Sequence, residues 1–145
     1  MKKSIFLSMA LILLLVTGCM NKTKTLVCTK DIGTSSIDTQ SINIKFIDDK
    51  VEDMTTTINV NLPDNYKSYI NTFKTTLEKE YKSKYGSYKN VKLNTKVKND
   101  NEIDVTMYFD YKKMSSSEKK ALNLSGSEKY SVNKKTLEDQ GFSCK

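Results

Sequence analysis

Apolar and polar positions alternate with period two along several stretches of this chain, which predicts half-buried strands. Ile42, Ile44 and Phe46 alternate with Asn43 and Lys45, and Met54, Thr56, Ile58, Val60 and Leu62 repeat the pattern beyond Asp48-Asp49-Lys50. That acidic tripeptide has turn chemistry, so the two strands read as a hairpin. A second hairpin is read from Val91, Leu93, Thr95 and Val97, the turn Asn99-Asp100-Asn101, and Ile103, Val105, Met107, Phe109 and Tyr111. Leu26-Val27-Cys28-Thr29 is a short first strand.

Between the hairpins the period changes. Pro63-Asp64-Asn65 offers a helix start. Tyr66, Tyr69, Ile70, Phe73, Leu77 and Tyr81 then recur mainly at three- and four-residue steps, predicting one long helix over about 65–85 before Gly86. Periodic aromatics of this kind belong to a core. Two short helices are expected over 114–124 and 131–140, after which Phe142 and Cys144 dock the end of the chain. The order is β-β-β-α-β-β-α-α. It predicts an α+β domain: an antiparallel sheet of two hairpins plus a short first strand, with the long helix and the two C-terminal helices packed on one face.

The first residues follow a different rule. Lys2 and Lys3 precede an apolar run from Ile5 to Val16, the charged-then-apolar pattern of a secretory leader, too short for the ~20 residues of a membrane span. The run ends in Val16-Thr17-Gly18-Cys19. This resembles the lipobox of bacterial lipoproteins, an aliphatic residue and two small ones before an obligatory Cys. The resemblance implies a signal peptide over 1–18, a diacylglyceryl group on the Cys19 sulfur and cleavage just before it. Two acyl chains anchor stably where one does not. Residues 19–25 then read as a tether and 26–145 as the single domain, held at the cell membrane on its extracytoplasmic face.

Charge and composition narrow the chemistry. The chain of 145 residues has 24 Lys, no Arg, no His and no Trp. Beyond residue 18 there remain 22 Lys against 17 acidic residues. Without His, the commonest general base and metal ligand is missing; without Arg, so is the usual bidentate reader of phosphate. A nucleic-acid partner is not expected for an exported chain whose tyrosines lie on the apolar stripe. The Lys excess suits weak attraction to anionic headgroups or envelope polymers.

Ser-x-x-Lys spacings occur at Ser116/Lys119, Ser117/Lys120 and Ser131/Lys134, but their charged neighbours describe a solvated face. Asp48, Asp49, Glu52 and Asp53 cluster at one turn, and Asp100, Glu102 and Asp104 at another. Turn chemistry accounts for both, and neither has the spacing of an EF-hand. No catalytic, cofactor-binding or metal-holding residue is assigned. Cys28 and Cys144 form an even pair in an exported chain and read as a disulfide closing almost the whole domain, with two buried thiols as the alternative.

Leu-Val-Cys-Thr-Lys at 26–30, Ile44-Lys45-Phe46 before Asp49-Lys50-Val51, Tyr88-Lys89-Asn90-Val91, and a closing Gly-Phe-Ser-Cys-Lys at 141–145 follow the lipobox in order. Together they resemble the YehR-like family of small bacterial lipoproteins, a domain of unknown function. The resemblance implies a small lipid-anchored extracytoplasmic domain, and beyond Cys19 and the Cys28/Cys144 pair it assigns no residue a role. The expected function is a non-enzymatic binding or accessory lipoprotein, its partner a protein or an envelope polymer. The alternatives are a small wall-directed hydrolase using a carboxylate pair, or a structural partner of an envelope or transporter complex.

Overall fold

The computed structural model describes residues 22–33 and 37–145. Cys19 and the leader lie outside the described residues. Strands β1 (Thr23–Asp31), β2 (Ile37–Ile47), β3 (Lys50–Asn61), β4 (Val91–Val97), β5 (Glu102–Phe109) and β6 (Ser143–Cys144) form one antiparallel sheet in the order β4-β5-β3-β2-β1-β6. A 3₁₀ segment, Asp64–Tyr69, runs into α1 (Ile70–Tyr85); α2 (Ser116–Ala121) and α3 (Tyr130–Asp139) follow β5. The two predicted hairpins are present, and the second attaches through β5, which pairs with β3. That places β4 at the outer edge.

One residue row shows how the sequence selects a face. Val91, Phe109, Met54, Ile44 and Leu26 lie opposite one another across five strands. Leu26, Ile44 and Phe109 are buried, and the residues two along each strand share their face. Continued without a break, β3 would set Glu52 opposite Phe46 in this core. A register shift at Lys45/Phe46 skips it and pairs Phe46 with Val51 instead. The hairpin turn uses Asp48 and Asp49, both at positive φ (50° and 64°), as a tight two-residue loop requires.

Helices cover this one face, at its two sides. Leu77 and Tyr81 of α1 pack with Val60, Leu62, Ile103 and Val105. Tyr130 and Leu137 of α3 pack with Leu26, Cys28, Ile44 and Phe46, and the Phe46 and Tyr130 rings meet edge to face at 5.3 Å. The other face is polar. One transverse row there reads Asn94, Thr106, Thr57, Ser41, Thr29 and Ser143, one residue from each strand, with Thr57 and Thr106 hydroxyls 3.1 Å apart.

Several boundaries move from those the sequence suggested. β1 begins at Thr23, so Thr23–Thr25 of the expected tether belong to the sheet, and the Lys22 amide donates to Asp48 Oδ1 at 3.0 Å. β5 stops at Phe109, and Tyr111 is buried in a 3₁₀ turn, Tyr111–Lys113. The docked C-terminus is a sixth strand. The aromatic stripe is the main correction: Tyr66, Tyr69 and Phe73 are 47%, 57% and 39% exposed. In the 3₁₀ segment, residues three apart eclipse, so Tyr66 and Tyr69 project together. On the α-helix at ~100° per residue, Ile70, Leu77, Tyr81 and Tyr85 fall within an arc of about 80°, and Phe73 lies outside it.

Candidate functional site

Cys28 and Cys144 occupy directly opposed positions on β1 and β6, with Cα atoms 4.1 Å apart, and they form a disulfide. Cys28 is fully buried under α3. The bridge spans 116 residues and fastens the last strand to the first. It is reinforced by reciprocal backbone hydrogen bonds between Val27 and Lys145.

The two acidic clusters do not meet. Asp48 and Asp49 sit at the β2–β3 tip, whereas Asp100 sits at the β4–β5 tip at the opposite end of the sheet. Asp53 and Asp104 are separated along the strands by six residues of β3, roughly 20 Å. Most of these carboxylates serve the fold. Asp49 accepts the Tyr130 amide, Glu52 pairs with Lys112 at 3.1 Å, and Asp104 accepts from Asn59 at 2.9 Å. Burial raises the Asp53 carboxyl above its usual range against the opposing pull of Lys45.

Two of the three Ser-x-x-Lys lysines are likewise committed. Lys119 pairs with Glu128 at 3.3 Å and stands 3.7 Å over the Tyr111 ring, Lys134 pairs with Glu138, and Lys120 is exposed. Ser117 Oγ lies 3.0 Å from Ser115 Oγ at the start of α2. Lys119 is more enclosed than its charged neighbours suggested, because the Tyr111 face and Glu128 draw its stem inward. Among the described residues, no group of three His, Cys, Asp or Glu side chains could hold a metal ion, and no helix is long and apolar enough to cross a membrane.

What the sequence did not reveal is a groove beside α3. Over β2 and β3 the apolar face is partly open between α3 on one side and Tyr111 with the loop 123–127 on the other. The result is a groove of about 330 Å³ with Ile42, Ile44 and Met54 as its floor and Val132, Thr136 and Leu137 as one wall. Its size lies at the lower end of ligand pockets. Its rim is held by polar groups already in use. Tyr111 Oη donates to the Leu124 carbonyl at 3.3 Å, and Asn133 Nδ2 donates to the carbonyls of Ser127 and Lys129. The arrangement suits an apolar occupant. Burial raises the Tyr111 hydroxyl pKa.

Shallower hollows flank α1. One, of about 380 Å³, lies between α1 and β4 beside the stacked rings of Tyr81 and Tyr85, 5.8 Å apart. There Glu78 is held ionised, first by Lys74 at 2.8 Å and then by the Thr95 hydroxyl. Another, of about 340 Å³, is formed by Tyr66, Tyr69, Phe73 and two threonines at the helix start. Of these rings only Phe73 has a cue in the sequence, its place outside the arc shared by Ile70, Leu77, Tyr81 and Tyr85.

No family model matches this chain, and no curated protein matches it. Among solved structures it is similar to the NMR structure of a protein from Streptococcus pneumoniae TIGR4, with 18% identity, 88% of each chain covered and a TM-score of 0.64. At that identity the likeness shows a shared fold.

Proposed function

We propose that this chain is a lipid-anchored, non-enzymatic binding or accessory domain on the extracytoplasmic face of a bacterial cell membrane. The observation that carries the reading is Val16-Thr17-Gly18-Cys19 at the end of a charged-then-apolar leader. Cys19 is the lipidation site, and residues 1–18 are the signal peptide. The Cys28–Cys144 disulfide supports it, since such bonds persist in oxidising compartments. The YehR-like resemblance agrees with both. The open groove over β2 and β3 is the surface best suited to an apolar portion of a partner, a protein or an envelope polymer.

The test is Cys19→Ala, followed by fractionation. The parent is expected to partition with membranes and to resist extraction by salt. The variant is expected to leave the lipid-modified pool. A variant with unchanged lipid labelling and membrane partition would refute the anchor.

A further inference from the structure

Charge is distributed unevenly along the strand axis. Segments 22–24, 47–53, 82–92, 110–120 and 128–130 gather at the end of the sheet where β1 begins, and they hold twelve Lys against seven Asp or Glu. Segments 30–33, 37–40, 61–69 and 96–104 gather at the opposite end, with four Lys against six acids.

Six of the seven acids of the basic end hold a backbone amide or a lysine. Asp48 holds the Lys22 amide, Asp49 the Tyr130 amide, and Glu118 the Ser115 amide. Glu52, Asp110 and Glu128 pair with Lys112, Lys113 and Lys119. Lys22, Lys50, Lys82, Lys84, Lys89 and Lys120 are exposed, and among the described residues none has a carboxylate within ion-pair distance. With twelve Lys against seven acids, and six of those lysines exposed and without an ion pair among the described residues, this end carries a net surplus of positive charge, although Asp48 and Asp49 are also exposed.

We infer that this basic end docks on an anionic phospholipid surface and holds the sheet end-on, with the acidic end and the exposed rings of Tyr66, Tyr69 and Phe73 directed away from the bilayer. The inference rests on the anchor reading above. Cys19 precedes Lys22 by three residues, so an anchor there keeps Lys22 within about 11 Å of the lipid. That is close to a Debye length of ~8–10 Å, inside which surface charge is felt. The attachment also makes docking intramolecular, so each lysine acts at high effective concentration. An envelope polymer would see the same charges without this tether.

The test uses the full lipid-modified protein on two vesicle types, one of neutral phosphatidylcholine and one with added phosphatidylglycerol. A membrane-impermeant amine reagent is applied, and modification is read lysine by lysine. The protein floats with both vesicles. On the anionic vesicles Lys82, Lys84, Lys89 and Lys120 become several-fold less reactive, while Lys67, Lys134 and Lys135 do not change. High salt removes the difference. In K82Q/K84Q/K89Q the protection of Lys120 is lost, because each charge removed weakens the docking equilibrium about fivefold.

Equal reactivity on the two vesicle types, with flotation intact, overturns the docking and leaves the anchor standing. Failure to float with neutral vesicles overturns the anchor and the docking with it. Protection that appears only when poly(glycerol phosphate) is added overturns the lipid surface in favour of a polymer.

Discussion

Phe46 and Phe73 are the same residue type with opposite roles. Phe46 is fully buried between Tyr130 and the β1–β2 floor, whereas Phe73 is 39% exposed. Phe46→Ala should cost about 3–5 kcal/mol through lost transfer energy and the cavity left behind. Phe73→Ser and Tyr69→Ser should stay within about 0.5 kcal/mol, as surface changes do. Urea denaturation of the three variants checks this, and a large loss at Phe73 would place it in a core. Titration separates two other residues. Burial raises Asp53, so the folded chain holds that proton more tightly than the unfolded one. Stability therefore falls as pH rises from the ordinary value of 3.8 through the folded-state pKa. A hydrogen bond from Lys113 lowers Asp110, so its contribution is present above 3.8 and is lost as pH falls through its folded-state pKa. Relative to the parent, Asp53→Asn should gain stability between pH 3 and pH 7, and Asp110→Asn should lose it. Stability curves at the two pH values with the same sign for both variants would contradict these assignments.

Among the elements, those legible in the sequence are those whose own side chains carry the period. Ile103, Val105, Met107 and Phe109 alternate without exception, and β5 lies where they predict. The outer halves of β1 and β2 were invisible because Thr23–Thr25 and Ile37–Ser41 are held by backbone pairing, with few buried side chains to mark them. β6 was invisible for the same reason, since two residues show no period. Its partner was legible chemically, because the lone Cys pair names the strand it meets. The long helix was over-read where a 3₁₀ segment turns Tyr66 and Tyr69 outward. The groove over β2 and β3 depends on how the loop 123–127 and α3 settle on the sheet, a long-range placement with no local signature. Two elements give direct tests. Ser115 caps α2, accepting the Glu118 amide while Glu118 accepts the Ser115 amide. Ser115→Ala should cost about 1 kcal/mol. Closing 116 residues, the disulfide should contribute about 4–5 kcal/mol in the chain-entropy account. Cys28→Ser/Cys144→Ser should therefore lower the denaturation midpoint strongly and expose the Val27 and Lys145 amides to exchange. An unchanged midpoint would contradict the bridge as the fastening of the C-terminus.

For the whole molecule, the arrangement follows from which end of the sheet the chain enters. β1 starts at the basic end, and β3, with 12 residues, extends roughly 40 Å from there to the acidic end. A lipid at Cys19 would leave the groove over β2 and β3 standing above the bilayer, open to whatever the envelope presents. All of this depends on the fate of one sulfur, and the intact mass of the protein extracted from its native membrane reads that fate directly. The account predicts a chain beginning at Cys19 and carrying the added mass of a diacylglyceryl group. A chain that retains residues 1–18, or one that begins at Cys19 with no added hydrocarbon, would contradict it.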